Sequence, residues 1–457
     1  MPNLIRLVTL GLITCPLIAC PLLAQSPSGS FALRGTLVTP GGIVENGTVV
    51  IQQNKITAAG AKVKVPANTT VIDTHGVIAP GLIDLHNHLT YNVFPRWHPS
   101  SEFGNRYDWQ QKPIYQTLIE TPHAGMMADG LECEMERYAE VKAISEGETA
   151  AVGSLANACS MGLAHNLDTE DEWHVAYNVF PLQMTETDLA PIRQKLANHQ
   201  LHAFLIHLSE GGHEDASAAR EFEMLKGRGL LVPGVSLIHG VALQPANYVE
   251  MAAHNVNLIW SPRSNLELYG STADVAAAKN AHVKIALSPD WSPTGSDGLL
   301  AELNYAAAWN DTQTPHLFTD RELVAMATST PADLIGASDR LGALEPGHDA
   351  DLLVIRPEGD AKHDAYWTLT HATAAQVMLV VVGGEPLYGD PDVLEKMGPS
   401  RPSEKIEVCG SSKTLLFTGL HGQVDAADET WAHTASILQT ALRHYGRDLA
   451  PLAECGQ

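Results

Sequence analysis

Residues 203–240 read AFLIHLSEGGHEDASAAREFEMLKGRGLLVPGVSLIHG. The segment opens with an apolar run, continues as a polar stretch with helical character, and closes with a second apolar run. Continuous apolar runs are typical of strands that are covered on both faces, as in a parallel sheet. The order strand, helix, strand therefore predicts a parallel β-α-β unit.

The same alternation continues toward the C-terminus. VNLIWSPRSN (256–265) and VKIALSPDWS (283–292) are further apolar runs, each followed by a helical stretch. Alternation over about 260 residues has the size and pattern of a (β/α)8 barrel. We therefore predict the α/β class, with a TIM barrel at residues 80–342.

Short strand-like runs separated by turn signals flank this region. They occur in FALRGTLVTP (31–40) and GTVVIQQNKI (47–56), and return in residues 349–357 and 374–389. These runs predict a small β-sandwich built from both flanks, residues 25–79 and 343–395. Residues 396–457 form a C-terminal extension with a predicted helix that docks through Trp431, Ile437, Leu438 and Leu442.

Polar side chains recur where the apolar runs end, which is the edge at which barrels place active sites. The run APGLIDLHNHL (79–89) contains His86 and His88. Alternate residues of a strand face the same side, so both imidazoles are expected to point together and hold one divalent metal. Taken alone, this spacing is more often a pair of ordinary hydrogen-bonded histidines.

Three other strand ends add groups of the same chemistry. His207 is a candidate third nitrogen ligand, and Asp290 a carboxylate whose burial is costly unless it is paired or coordinated. Glu210 lies three residues after His207, where it is a candidate proton relay or simply a first-turn acid. His239 is a candidate for binding the reacting group, or a structural core histidine.

Together these motifs resemble the amidohydrolase superfamily, in its chlorohydrolase and cytosine deaminase branch. PGLIDLHNHL, HLSE, LIHG, SPRSNLELYG, SPD and LGALEPGHDADLLVI occur in the family's order over about residues 31 to 390. The resemblance implies His86, His88, His207 and Asp290 as ligands of one divalent ion, with zinc favoured over iron. It implies Glu210 and His239 as the acid/base pair, and Asp290 as the group that deprotonates a metal-activated water.

The expected number of metal ions depends on whether the fourth strand carries a bridging lysine. Dinuclear members of the family bridge two ions with a lysine on the fourth strand, whereas the only lysine between Gly153 and Gln200 is Lys195, in a helical stretch. One metal is therefore expected. His165 and Cys159 are alternative extra ligands.

The loop after the first strand, YNVFPRWHPSSEFGNRYDW (91–109), is long and aromatic. Trp97, Arg106 and Trp109 are candidate substrate residues there, with a self-packed surface loop as the alternative. The segment SPRSNLELYG adds Arg263 and Asn265 as substrate candidates.

Composition limits the partners. The chain has 457 residues, a formal net charge of −24 and 18% charged residues. This balance excludes disorder, and it argues against nucleic acid and against docking on an anionic membrane. A small-molecule substrate is expected, with a homodimer as the default assembly.

The N-terminal segment 1–24 is predicted to be a secretory signal, because Arg6 precedes an apolar run that is short for a membrane anchor. Its LIAC sequence is alternatively a lipobox with lipidation at Cys20. Either alternative predicts export to the periplasm or beyond. In an oxidising compartment Cys409 and Cys455 are the expected disulfide, with free thiols as the alternative.

The sequence thus predicts an exported metal-dependent hydrolase that cleaves a C–N bond of a small cyclic substrate, by deamination or by cyclic amide hydrolysis. A dinuclear dipeptidase, imidase or lactonase is one alternative. A non-catalytic binding barrel is the other, although such a chain should have lost part of the set of six residues, which is complete here.

Overall fold

The computed structural model describes residues 30–153, 159–358, 363–398, 402–417 and 430–455. The predicted signal segment 1–24 and Cys20 lie outside the described residues. The strands in chain order are β1 (Phe31–Thr39), β2 (Gly42–Gln52), β3 (Lys55–Gly60), β4 (Thr70–Pro80), β5 (Leu82–Asp84), β6 (Glu148–Ala151), β7 (His165–Asn166), β8 (Val175–Asn178), β9 (Ala203–Leu208), β10 (Val235–His239), β11 (Asn257–Trp260), β12 (Ile285–Leu287), β13 (Leu352–Ile355), β14 (Val377–Val382), β15 (Glu385–Gly389), β16 (Glu404–Val408) and β17 (Ser411–Leu415).

Helices fill most of the connections. They are α1 (Arg106–Trp109), α2 (Pro113–Tyr115), α3 (Thr121–Ala128), α4 (Glu132–Ser145), α5 (Glu186–Ala197), α6 (Ala216–Gly227), α7 (Pro245–Ala253), α8 (Pro262–Tyr269), α9 (Val275–Asn280), α10 (Leu299–Asp311), α11 (Asp320–Ala327), α12 (Ser329–Leu334), α13 (Ala365–His371), α14 (Pro391–Met397) and α15 (Trp431–His444). Shorter helical turns occur at Leu89–Val93, Gln116–Glu120, Asp171–Trp173, Pro181–Gln183 and Ala374–Gln376.

Strands β5 to β12 form the parallel core of the predicted barrel. They pair in two sheets, β5-β6-β7 and β8-β9-β10-β11-β12, with every pairing parallel. A parallel bridge between Asn87 and Asp290 joins the chain after β5 to the chain after β12. The predicted α/β architecture is thereby confirmed, and the bridge brings the first and last strand ends side by side.

The flanking strands form a separate β-sheet domain, while its packing as the predicted β-sandwich stays a prediction. Strands β1–β4 and β13–β17 make one nine-stranded sheet in the order β16-β17-β15-β14-β13-β4-β1-β2-β3. The β4–β13 pair, with Leu352 opposite Pro80, joins the N-terminal and C-terminal segments. The sheet continues to Leu415, beyond the boundary predicted at residue 395, because the hairpin β16–β17 adds to β15.

The C-terminal helix α15 packs through part of its predicted face. Leu438 and Leu442 are buried, and Trp431 stacks on Tyr138 of α4, whereas Ile437 is only partly buried. In the part of the chain that the structure describes, none of the helices combines the length and apolar character needed to cross a bilayer.

Candidate metal centre

Four side chains from three strand ends meet at one point. The Nε2 atom of His86 lies 3.1 Å from Nε2 of His207 and 3.2 Å from Oδ1 of Asp290. The Nε2 atom of His88 lies 3.3 Å from the same nitrogen of His207 and 3.4 Å from the same oxygen of Asp290. The structure therefore brings together all four residues that the sequence suggested as ligands.

The turn after β5 aims the two neighbouring histidines. His86 and His88 lie just beyond the strand rather than inside it, which differs from the prediction. The buried carboxylate of Asp84 accepts hydrogen bonds from the backbone N–H of His86 at 2.9 Å and from Nδ2 of Asn87 at 2.7 Å. These bonds fix the conformation of the turn. Both imidazoles point into the same cluster although neither residue belongs to the strand.

Asp290 is held by two further features. Its backbone N–H donates to the carbonyl of His86 at 3.1 Å, and its Oδ2 accepts from the hydroxyl of Ser264 at 2.5 Å. Its φ of 72° lies in the left-handed region, which a non-glycine residue adopts only when its surroundings impose it. The surrounding structure thus sets both the backbone and the carboxylate of Asp290.

Burial keeps the imidazoles neutral. It lowers the pKa of His86 and of His207 well below the usual value, and it lowers the pKa of His88 to about 3. Burial also raises the pKa of Asp290, because it disfavours the charged carboxylate. A cation beside the carboxylate would lower this pKa again. Neutral imidazoles have a free lone pair, which is the form that binds a metal.

The donor set fits a divalent ion. Ligand atoms at about 2.0–2.1 Å from a tetrahedral zinc lie about 3.3–3.4 Å from one another, close to the separations observed here. The Nε2 atoms of His86, His88 and His207 face one another, where neutral imidazole lone pairs would oppose each other unless a proton or a cation lay between them. Three imidazoles and one carboxylate suit zinc and also several other divalent ions.

Glu210 and His239 lie beside this cluster. Oε2 of Glu210 is 3.6 Å from Nε2 of His239. His239, at the end of β10, has a φ of 69° and places its Nδ1 2.9 Å from Oδ1 of Asn265. Since Asn265 holds the far nitrogen, Nε2 of His239 faces Glu210 and the cavity.

A buried hydrogen-bond chain fixes the carboxylate of Glu210. The hydroxyl of Tyr269 donates to Oε1 of Glu210 at 2.7 Å and accepts from the indole N–H of Trp109 at 2.8 Å. Arg106, only 1% exposed, places its guanidinium 3.7 Å from Oε2 of Glu210 and donates to the carbonyl of Val179 at 2.7 Å. The two carboxylate oxygens of Glu210 therefore have different neighbours: Oε1 accepts from Tyr269, and Oε2 lies near Arg106 and His239.

The cluster opens into a cavity of about 550 Å³. The wall combines groups of the metal cluster and the acid/base pair with a ring of aromatic side chains; the aromatic lining residues are Tyr91, Trp109, Tyr115, Phe180 and Trp291. A neighbouring cavity of about 620 Å³ shares His88, Tyr91 and Phe180 with the first. This shape and lining are typical of a small-molecule site.

Of the five substrate candidates, only Trp109 lines the cavity. Trp97 is buried in an aromatic cluster with Phe103, Trp109 and Tyr115, so it supports the wall from behind. Arg106 is buried under Glu210. The 91–109 loop is thus largely self-packed, which was the alternative expectation.

The other two candidates also act from behind the wall. Asn265 contacts His239 and donates to the hydroxyl of Thr272, which orients its amide. Arg263 forms an ion pair with Glu454 at 2.5 Å and lies over the ring of Tyr305. Neither side chain lines the cavity, and these partners occupy their polar groups.

The alternative ligands are engaged elsewhere. His165 lies 3.3 Å from Asp351 of the sheet domain, and the sulfur of Cys159 is bonded to Cys133. Lys195 is exposed on α5, and the fourth barrel strand, β8, carries Tyr177 and no lysine. The structure therefore provides no lysine for a bridged pair of ions at β8.

The expected Cys409–Cys455 disulfide is confirmed, with a Cα–Cα distance of 4.9 Å. The sequence did not suggest the Cys133–Cys159 pair, nor the supporting roles of Ser264 and Tyr269. Both of these polar residues belong to the SPRSNLELYG segment, and polar residues on a short helix that begins directly after a barrel strand are the signal that could have identified them.

Comparisons with known proteins find similarity to amidohydrolases. The model of the Amidohydrolase family matches residues 194–387. A 5-methylthioadenosine/S-adenosylhomocysteine deaminase of Teredinibacter turnerae is 32% identical over 165 residues, which cover 34% of this chain and 37% of that protein. A 5'-deoxyadenosine deaminase of Methanosarcina barkeri is 24% identical over 398 residues, which cover 77% of this chain and 90% of the relative.

A solved structure shares the fold. The atrazine chlorohydrolase TrzN of Arthrobacter aurescens TC1, complexed with zinc, superposes with a TM-score of 0.63 at 19% identity. The match covers 78% of this chain and 95% of that one. These matches confirm the expected resemblance, and the solved structure shows the same fold.

Proposed function

We propose that this chain is a single-metal deaminase of a small planar heterocycle, which its match to the Amidohydrolase family over residues 194–387 and its similarity to curated deaminases support. The amino group on an sp2 ring carbon would leave as ammonia. Opening of a cyclic amide uses the same side chains, and the names of the deaminase relatives favour the first reaction.

One observation carries this proposal. A candidate metal cluster and a carboxylate–imidazole pair, Glu210 and His239, face the same aromatic-walled cavity, and His239 also lies within ligand distance of His86 and His207. Either group of residues alone would have an ordinary structural explanation. Their convergence gives one site for activating water and another for protonating a leaving nitrogen.

His86, His88, His207 and Asp290 would hold the ion, for which zinc is the proposed identity. A bound divalent cation supplies Lewis acidity that brings the pKa of a water close to neutrality. Asp290 Oδ2, which already accepts from Ser264, has a second lone pair for the proton of the attacking water. Ser264 keeps this oxygen oriented while the proton is transferred.

Glu210 would accept the second proton of the water at Oε2 and deliver it to the leaving nitrogen, since Tyr269 holds Oε1, while the proton on Asp290 would pass to the ring nitrogen. His239, with Nδ1 on Asn265, presents Nε2 to Glu210 and the substrate. A protonated His239 would stabilise negative charge that develops on the substrate. The donors are fixed before the substrate arrives, which is the condition for effective electrostatic catalysis.

The cavity wall limits the substrate. Indole and phenol faces stack on flat rings. Among the described lining residues of the 550 Å³ cavity there is neither lysine nor arginine, whereas Glu120, Glu210 and Asp290 supply carboxylates. We therefore expect neutral or cationic heterocycles to be accepted, and substrates with phosphate or several carboxylates to be rejected.

The test is a screen of aminated heterocycles on zinc-loaded protein, with ammonia detected directly. Ammonia release that disappears in Glu210→Gln supports the proposal. Ring opening without ammonia would replace deamination by cyclic amide hydrolysis. Metal analysis by mass spectrometry of protein purified without added metal distinguishes zinc from iron, and the zinc content of the loaded protein distinguishes one ion from two.

We also propose that the protein is exported. The segment 1–24 has the features of a secretory signal, and two disulfides within the described residues suit an oxidising compartment. Fractionation of cells that express the full chain, with mass spectrometry of the mature N-terminus, tests both export and lipidation at Cys20. Homodimer formation is a separate proposal, which sedimentation analysis tests.

A further inference from the structure

We propose that Glu454, next to the Cys409–Cys455 disulfide, is a positioning residue that holds the Asp290 loop and helix α8 in their catalytic arrangement. The C-terminal tail is defined here as residues 445–455, and the Asp290 loop as residues 291–298. This inference rests on the proposed metal site, but not on the identity of the substrate.

The tail is fixed to the rest of the molecule at several points. Cys455 is bonded to Cys409, in the turn between β16 and β17 of the sheet domain. The backbone N–H of Ala450 donates to the carbonyl of Val93 at 2.9 Å, and the hydroxyl of Tyr138 donates to the carbonyl of Ala450. The residue beside the disulfide is therefore placed against the barrel mouth.

Glu454 joins two arginines from different active-site segments. Its Oε1 lies 3.3 Å from Nη1 of Arg96, in the loop after β5. Its Oε2 lies 2.5 Å from Nη1 of Arg263, at the start of α8. The two guanidinium groups share this carboxylate, and Arg96 also pairs with Glu267 at 3.0 Å, so removal of the Glu454 charge would leave Arg263 without this ion pair and Arg96 with Glu267 alone.

The first arginine reaches the wall of the cavity. Nη1 of Arg96 also donates to the carbonyl of Gly295 in the Asp290 loop, and the backbone N–H of Gly295 donates to the carbonyl of Trp291 at 2.7 Å. Trp291 lines the cavity. Glu454 is thus connected to the wall through a single intervening side chain.

The second arginine reaches the metal cluster. Arg263 precedes Ser264, whose hydroxyl donates to Asp290, and Nη1 of Arg263 lies 3.3 Å from the hydroxyl of Ser296. The next residue, Asn265, orients His239. A shift of α8 would therefore disturb both a proposed ligand and a member of the acid/base pair.

The disulfide makes this arrangement dependent on oxidation. A dithiol reductant would supply two electrons, and two protons would complete the thiols of Cys409 and Cys455, while the reductant becomes a cyclic disulfide. Breaking this link frees the residue next to Glu454 from the sheet domain. Loss of the disulfide and loss of the Glu454 charge are then expected to have the same consequence.

The experiment compares Glu454→Gln with a matched control, Glu404→Gln. Glu404 accepts from the backbone N–H groups of Trp431 and Ala432 in α15, and its ion-pair partners among the described residues include neither arginine. In Glu454→Gln we expect amide exchange in residues 291–298 to rise about tenfold. We also expect Co²⁺ affinity to fall about tenfold and the visible spectrum of the Co²⁺-loaded protein to change. Glu404→Gln should keep wild-type values for all three.

The disulfide is tested by the double substitution Cys409→Ala with Cys455→Ala, with Cys133→Ala and Cys159→Ala as its control. The first pair should reproduce the Glu454→Gln changes, and adding Glu454→Gln to it should change little more, because neighbours in one unit are not additive. Fully additive effects, or unchanged exchange and spectrum in folded Glu454→Gln, would overturn the proposal. A wild-type protein that binds no Co²⁺ would refute the proposed function, while amide exchange would still test Glu454.

Discussion

The hydroxyl of Tyr269 donates a 2.7 Å hydrogen bond to Oε1 of Glu210, and both groups are buried. Burial, with the neighbouring Glu210, raises the pKa of Tyr269 well above its usual value, so the phenol remains protonated and acts as the donor. The carboxylate that would protonate the leaving group is therefore oriented by a residue outside the cavity wall.

The first prediction is that Tyr269→Phe lowers kcat about tenfold with little change in KM, because loss of one buried hydrogen bond costs about 1–3 kcal/mol. Steady-state kinetics on the substrate identified by the screen measures this. Tyr388→Phe, in β15 of the sheet domain, is the matched control. A fall confined to KM would show that Tyr269 acts on substrate binding instead.

The second prediction concerns Glu210 itself. Glu210→Gln should retain a full equivalent of metal, because the side chain is not among the four proposed ligands, while kcat falls by a factor of about 10² to 10⁴. Metal analysis and turnover are measured on the same sample. Glu223→Gln, on the exposed face of α6, is the control, and full activity of Glu210→Gln would remove Glu210 from the mechanism.

The third prediction follows from the 2.5 Å bond between Ser264 and Asp290. Ser264→Ala should lower zinc affinity by a factor of about 10, since groups that orient a metal ligand typically contribute that much. Chelator competition measures the affinity. Ser271→Ala, whose hydroxyl contacts only the carbonyl of Tyr269 among the described partners, is the control. Equal affinities for both variants would contradict the role of Ser264.

The fourth prediction is a pH dependence of stability. His165 is buried between Asp351 at 3.3 Å and Glu170 at 3.8 Å. Burial opposes its charge, but Asp351 and Glu170 raise the pKa of His165 to about 10, above the unfolded value. Its stabilising contribution is therefore complete below about pH 6.5 and lost as the pH rises through about 10.

His165→Gln should accordingly lower the free energy of unfolding by about 3 kcal/mol near neutral pH, the cost of breaking a buried pair. The difference from wild type should shrink above about pH 10. Denaturant unfolding of both proteins across this range measures it, with exposed His199→Gln as the control. A difference that grows with pH would show that His165 is buried in its neutral form.

The sequence predicted what depends on strand periodicity and strand ends. His86, His88, His207, His239 and Asp290 could be grouped because parallel strands finish at one edge of a barrel. Residues whose roles depend on contacts with distant segments of the chain could not be predicted from strand ends. The Cys133–Cys159 pair depends on where α4 packs, and the side chains of Arg106 and Trp97 turn inward because of neighbours that come from distant segments.

Contacts between distant segments explain the other differences between the prediction and the structure. The SPRSNLELYG segment predicts Arg263 as a substrate residue, but its guanidinium pairs with Glu454 of the tail and does not line the cavity. The hairpin β16–β17 was assigned to an extension, whereas hydrogen bonding to β15 adds it to the sheet. Both outcomes depend on contacts between residues far apart in the chain, which periodicity does not encode.

The most direct test of the account is a crystal structure of zinc-loaded protein with anomalous diffraction collected at the zinc edge. We predict one peak, at about 2.0–2.2 Å from Nε2 of His86, His88 and His207 and from a carboxylate oxygen of Asp290. A peak that lacks one of these four contacts, or no peak from protein shown to contain an equivalent of zinc, would contradict the proposed metal centre.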